Sequence, residues 1–233
     1  MNTDLLRRHG ARIAALALLL AGGGTACAQQ PAPSGARAPA SAAAADSLLP
    51  RADSGRTKGS ETAAVTLIEV SDFQCPYCRQ FAETTYRQLD SAYIRTGKVK
   101  MLFINYPLPG HQSAYIASEA AMCASVQGKF WPMHDRLFAT QRDWSSATDA
   151  ARRFEGFATE LGLDMASFRD CTANDRVAQL IIGDALKAAG GGISGTPAFV
   201  INGTRFLGGA VTFDQMKAEL DAALASPAPA PSN

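Results

Sequence analysis

Cys75-Pro76-Tyr77-Cys78 is the feature that most constrains this chain. Val65 to Val70, just before it, is rich in β-branched residues and partly alternating, which predicts a strand. Beyond it, Phe81, Tyr86, Leu89, Tyr93 and Ile94 recur at helical spacing, so a helix is expected over 78–96, ended by Gly97. Two cysteines three apart at a helix start can close a small disulfide ring. The first one lies where helix N–H groups and the helix dipole favour a thiolate. A thiolate is the attacking species in disulfide exchange, so Cys75 is the expected nucleophile. Cys78, one turn further in, would resolve the mixed disulfide. Pro76 suits a first helical turn, where no N–H is needed. The alternatives are a structural disulfide and a zinc half-site. Zinc needs two more ligands, but Cys123 and Cys171 are isolated, and beyond residue 28 the histidines are only His111 and His134. No metal is expected.

The chain around the motif reads as one exported domain with extensions. Arg7, Arg8 and Arg12 precede a short apolar run, Ile13 to Ala21, and Ala26-Cys27-Ala28 is an A-x-A cleavage pattern. Residues 1–28 are therefore read as a signal peptide, leaving Gln29 first. The competing route is lipoprotein processing with Cys27 acylated and kept as an anchor, against which Gly24 stands where an aliphatic residue is usual. Either route places the protein outside the cytoplasm, in the periplasm or its equivalent. Four cysteines remain, an even number that favours pairing in an oxidising compartment. Residues 29–62 are rich in Ala, Pro, Ser and Gly and are expected to be a disordered linker. Residues 226–233 read as a disordered tail. A chain that is 47% hydrophobic is not disordered throughout, and a net charge of +1 without a basic run argues against nucleic acid.

Within the core, Val99 to Tyr106 predicts a second strand, stopped by Pro107. Gln112 to Ala189 reads as mostly helical, broken near Gly128, Pro132, Gly156 and Gly162. Ala198 to Ile201 and Arg205 to Leu207 predict a hairpin through Asn202-Gly203, and Phe213 to Leu224 a closing helix.

The strand–CxxC–helix unit, the helical block and Gly195-Thr196-Pro197 before a strand resemble the thioredoxin superfamily. The helical insertion resembles the thiol:disulfide oxidoreductases of the DsbA/DsbG type. Gln127-Gly128-Lys129-Phe130-Trp131, continued by His134-Asp135, is similar to a recurrent stretch of that family's helical domain. The resemblance covers residues 63–225 and implies an α/β thioredoxin-like fold with a helical domain inserted at about 111–189.

It also implies roles. Thr196-Pro197 matches the cis-proline loop facing the disulfide, where Thr196 would offer its backbone to an extended substrate strand. Pro76 and Tyr77 would complete the substrate-binding surface. Glu69 matches a buried acidic position whose carboxylate, raised in pKa by desolvation, takes the proton of Cys78; the alternative is a solvent-exposed strand-edge glutamate. Cys123 and Cys171 form a structural disulfide or remain buried thiols, and a bond closing that loop would stabilise by about 4 kcal/mol. His111 and His134 are read as packing or capping residues. Phe73, Tyr77, Phe81, Trp131 and Phe199 are candidates for an apolar patch, with core packing preferred for the last three.

The implied activity is disulfide formation or exchange in extra-cytoplasmic proteins, with no cofactor beyond the Cys75–Cys78 pair. The implied partners are reduced or unfolded substrate proteins and a membrane redox partner, a quinone-linked oxidase or an electron donor. Tyr77 stands where strongly oxidising members carry histidine, so a milder oxidant is expected. Residues 29–62 offer no dimerisation domain, so a monomer is expected. The competing readings are an isomerase or reductase kept reduced by a donor, and a non-redox peptide-binding module.

Overall fold

Strand β2 (Val65–Ser71) runs through the middle of the sheet and carries the motif at its carboxyl end. The structure, a computed structural model, describes residues 47–226. The expected signal peptide, Cys27, residues 29–46 and the tail beyond Ser226 lie outside those residues. Around β2 the order is α1 (Leu48–Gly55), β1 (Thr57–Lys58), β2, α2 (Pro76–Glu83), α3 (Thr85–Leu89), a π-helical turn (Asp90–Ile94) and β3 (Val99–Asn105). Six helices follow: α4 (Ala114–Ser125), α5 (Phe130–Ala139), α6 (Gln141–Trp144), α7 (Ala150–Glu160), α8 (Met165–Ala173) and α9 (Ala178–Gly190). Strands β4 (Ala198–Ile201) and β5 (Arg205–Gly208) and helix α10 (Phe213–Ala225) close the domain.

The sheet order is β1-β3-β2-β4-β5, with β2 parallel to β3 and antiparallel to β4. A parallel pair needs a crossover, which α2 and α3 supply. Val65 and Leu67 on one face of β2 pack with Phe81, Tyr86, Leu89, Phe199, Met216 and Leu220. Val70 on the other face packs with Ala188, Ile193 and Ala198. Alternation alone therefore sends β2 into two cores, the layered α/β arrangement of a thioredoxin-like fold. The third and largest core lies among the helices, around Phe103, Phe130, Phe138, Trp144, Phe154 and Phe168. Cys123 on α4 and Cys171 on α8 are joined there by a disulfide that closes a loop of 48 residues.

Local expectations needed adjustment where a single residue type was read as a break. The helix begins at Pro76, its chain interrupted at Thr84, and ends in the π-helical turn before Gly97 at φ 76°. Pro132 is the third residue of α5, where the missing N–H has no intrahelical acceptor to leave unpaired. Gly156 sits inside α7 without ending it. The hairpin places Asn202 and Gly203 at φ 49° and 73°, as an Asn-Gly turn requires.

The larger correction concerns the linker: residues 47–62 are ordered against the domain. Ala52 is fully buried, the Ser125 hydroxyl donates to its carbonyl at 2.7 Å, and β1 adds to the sheet through Thr57↔Leu102 and Lys58↔Met101. The buried Arg56 guanidinium pairs with the buried Asp184 carboxylate of α9 and donates to the Phe103 carbonyl at 3.2 Å. Asp184 also accepts from the Asn105 backbone and side chain, both at 3.0 Å. Composition misled here because the ordering contacts are polar and 47 to 128 residues away in sequence. A charge of this kind left without its partner is costly. Arg56→Ala should therefore lower the unfolding free energy by about 3–5 kcal/mol in a urea titration. An unchanged midpoint would mean the segment contributes nothing to the fold.

Candidate active site

Cys75 is the N-cap residue of α2, with an extended backbone (φ −69°, ψ 125°), and Pro76 is the first helical residue. This geometry leaves the first-turn N–H groups directed towards the Cys75 side chain. The Thr196–Pro197 peptide bond is cis, and the Cys75 thiol donates to the Thr196 carbonyl at 3.4 Å. The two segments are 121 residues apart in sequence and meet because β2 and β4 pair through Val70↔Ala198. Both cysteines are free, Cys75 3% exposed and Cys78 fully buried.

The two thiols differ sharply. A hydrogen bond from Cys78 does most to stabilise the Cys75 thiolate, with the Thr196 hydroxyl and the N–H groups of Cys78 and Tyr77 adding to it; these outweigh burial and bring Cys75 down to about 6. Burial pushes Cys78 well above its ordinary value, and the neighbouring Cys75 charge pushes it the same way. One thiol is thus a thiolate at neutral pH, the other a proton donor to it.

Glu69, on the strand that leads to them, is fully buried and in register with Phe103 on β3 and Phe199 on β4. Neither carboxyl oxygen has a hydrogen-bond partner among the described residues. Burial raises its pKa to about 8, and the Ser71 hydroxyl, two residues along the same face, lowers both it and Cys78 by a lesser amount. The reading of Glu69 as a solvent-exposed strand-edge residue is therefore excluded. A carboxyl neutral at pH 7 is a potential proton donor, and Ser71 acts on both it and Cys78.

The turn into Cys75 is held on every side. Asp72, buried, accepts from the backbone N–H groups of Gln74 (2.7 Å) and Leu108 (2.8 Å) and pairs with His111 Nδ1 at 2.6 Å. Gln74 donates to the Ser145 carbonyl at 2.9 Å and accepts from Ser113 N–H at 2.8 Å. Gln141 on α6 donates to the carbonyls of Phe73 (2.6 Å) and Cys75 (2.9 Å). Sequence reasoning missed these three residues. Asp72 and Gln74 carried the weak signal of polar residues in a strand–helix turn, and Gln141 carried none.

Other expectations separate in space. Tyr77 is 61% exposed beside the cysteines, whereas Phe73 is buried against Phe103 and Phe138 and forms no part of a surface patch. Phe81 and Phe199 pack together in the core at 4.5 Å between ring centroids. Trp131 stacks on Tyr86. His134 is buried among the rings of Phe73, Phe103, Trp131 and Phe138, which lowers its pKa, and it lies away from the thiols' hydrogen bonds.

A thioredoxin-like sheet, a CxxC pair at a helix start and a cis-proline loop facing it define a protein of thioredoxin-like fold with a dithiol site. Comparison with known proteins agrees: a family described as Thioredoxin matches residues 51–222, and the chain belongs to that family. It is similar to the Na(+)/H(+) antiporter NhaA 3 of Salinispora tropica, 40% identical over 157 residues that make up 67% of this chain and 23% of the antiporter. The chain thus spans about a quarter of that relative's length. It is also similar to a probable disulfide bond formation protein D of Bacillus anthracis, 26% identical over 70% of this chain and 75% of that protein. Among solved structures, BdbD from Bacillus subtilis superposes with a TM-score of 0.67 at 20% identity, covering 74% of this chain and 95% of that one.

Two measurements test these protonation states. Alkylation of reduced protein by iodoacetamide should modify Cys75 with a midpoint near pH 6 and spare Cys78; equal labelling of both with a midpoint near 9 would contradict the asymmetry. Glu69 is neutral in the fold and ionised in the unfolded chain between pH 4.5 and about 8, so its burial costs stability progressively as pH rises through that window. Glu69→Gln should gain on the wild type by about 3 kcal/mol between pH 4.5 and 7, read from denaturant titrations across the range. A constant difference would show that Glu69 does not titrate as a buried acid.

Proposed function

We propose that this protein is an exported oxidoreductase that donates the Cys75–Cys78 disulfide to proteins folding outside the cytoplasm. The observation that carries this is the Cys75 thiol, at a helix N-cap, facing the Thr196 carbonyl of the cis-proline loop. A substrate thiolate attacks Cys75 Sγ; the Cys75–Cys78 bond breaks and Cys78 leaves with the electron pair. Cys78 is a poor thiolate, and the neutral Glu69 carboxyl supplies its proton through an intervening water. A second substrate thiolate attacks the substrate sulfur of the mixed disulfide. The substrate is oxidised and Cys75 departs as the stabler thiolate.

The substrate strand would lie along Thr196 and Pro197, hydrogen-bonded by the Thr196 backbone, with exposed Tyr77 and Pro76 on its other side. The partners in this reading are reduced extra-cytoplasmic proteins and a quinone-linked membrane oxidase that restores the disulfide. The signal-like residues 1–28 support export, with Cys27 as the anchor if it is lipidated. The chain works as a monomer and uses no cofactor apart from its own cysteines.

The strength of the oxidant follows from the thiolate. Lowering Cys75 from 9.0 to about 6 favours the reduced protein at pH 7 by about 1.4 kcal/mol, or about 30 mV for two electrons. Thioredoxin, with a nucleophile near 7, sits at about −270 mV, and the strongest family oxidant, near 3.5, at about −120 mV. A glutathione equilibrium should therefore place this pair between those limits and nearer the first. A value at or below about −270 mV would favour the reductase or isomerase reading. Cys75→Ser should abolish exchange with a dithiol peptide; retained exchange would remove both enzyme readings, and holdase activity without either cysteine would favour a peptide-binding module.

A further inference from the structure

We infer that Gln141 is a positioning residue through which the helical insertion controls the reactivity of Cys75. The inference rests on the reading of Cys75 as the nucleophile and adds to it a residue outside the thioredoxin layer. Gln141 begins α6, is buried, and uses both amide hydrogens on one short stretch of backbone, the carbonyls of Phe73 and Cys75. Its own oxygen accepts from Arg79 Nε at 3.1 Å, and Arg79 is braced in turn by Glu83. The amide is therefore held so that its donors, and not its acceptor, face the turn.

The Cys75 carbonyl accepts a second bond, from the Arg79 N–H of α2 at 3.1 Å. Two donors on one carbonyl fix the peptide plane that leads into the helix, and with it the direction in which Cβ and Sγ leave the backbone. They also neutralise the negative ends of two buried dipoles close to where the thiolate charge forms. Without Gln141 the Phe73 carbonyl loses that donor, and both oxygens would oppose a neighbouring anion. The effect falls on the thiolate of the reduced protein and not on the uncharged disulfide. Gln141 therefore bears on redox balance as well as on folding. The segment it grips is also tied to the insertion by Gln74, through Ser145 next to α6 and Ser113 before α4, so movement of the insertion reaches the nucleophile through two amides.

The test uses Gln141→Met, which keeps length and removes the donors, and Gln141→Glu, which keeps the shape and the acceptor for Arg79. The Cys75 midpoint should rise by about one unit in Gln141→Met and further in Gln141→Glu. Alkylation of Gln141→Met at pH 6 should slow about fivefold, as the thiolate falls from about a half to about a tenth. Its equilibrium with glutathione at pH 7 should shift about fivefold towards the disulfide form. A lower melting temperature with an unchanged midpoint and potential would make Gln141 a packing residue and overturn the inference. If the wild-type midpoint itself is not depressed, it is the assignment of Cys75 that fails. Should neither variant fold, the wild type still decides: the side-chain amide protons of Gln141, followed by NMR in the reduced protein, should titrate with the Cys75 midpoint. Resonances indifferent to that titration would refute the coupling.

Discussion

Strand β2 is hydrogen-bonded on both flanks, and the site depends on that. Its register with β3 fixes where the chain leaves the sheet towards Cys75, and its register with β4 brings Thr196-Pro197 opposite. The same pairing sets Glu69 between Phe103 and Phe199 and so decides that the carboxyl is neutral. A slip of one residue in either ladder would send Glu69 to the opposite face. The positions of Cys75, of the Thr196-Pro197 loop it faces and of the buried Glu69 are therefore consequences of one strand's pairing.

From that arrangement comes the chemical inequality of two like side chains. Cys75 caps a helix and receives hydrogen bonds; Cys78, three residues on, is fully buried in the core that the helices share. Burial disfavours any thiolate, and only Cys75 has donors enough to reverse it. Tyr77 between them adds no positive charge, which leaves the stabilisation to neutral donors and moderates it.

The helical insertion and the segment before β2 frame this centre. Arg56 and Asp184, each buried and paired, fasten α1 and β1 to β3 and α9. Cys123–Cys171 ties α4 to α8 in the helical core. A rigid insertion matters at the site because Gln141 and Ser145 reach the turn before Cys75 from it.

Local chemistry was legible in the sequence. A β-branched run, a CxxC and an amphipathic helix name the strand–thiol–helix unit because each depends on neighbours within a few residues. Gly195-Thr196-Pro197 and the Asn202-Gly203 turn were readable for the same reason. What needed the tertiary structure were the facts that depend on distant partners. Glu69 could have been wet or dry, and only pairing with two phenylalanine-bearing strands settled it. Residues 47–62 look like a linker because their anchors, Asp184 and Phe103, lie far along the chain. Phe73 reads as a surface aromatic until the insertion packs over it. Gln141 is an ordinary polar residue until folding brings it 66 positions back to the Cys75 carbonyl. The residue types that carry the chemistry are therefore local information, whereas burial and hydrogen bonding, which set their protonation, arise only once distant segments exclude water together.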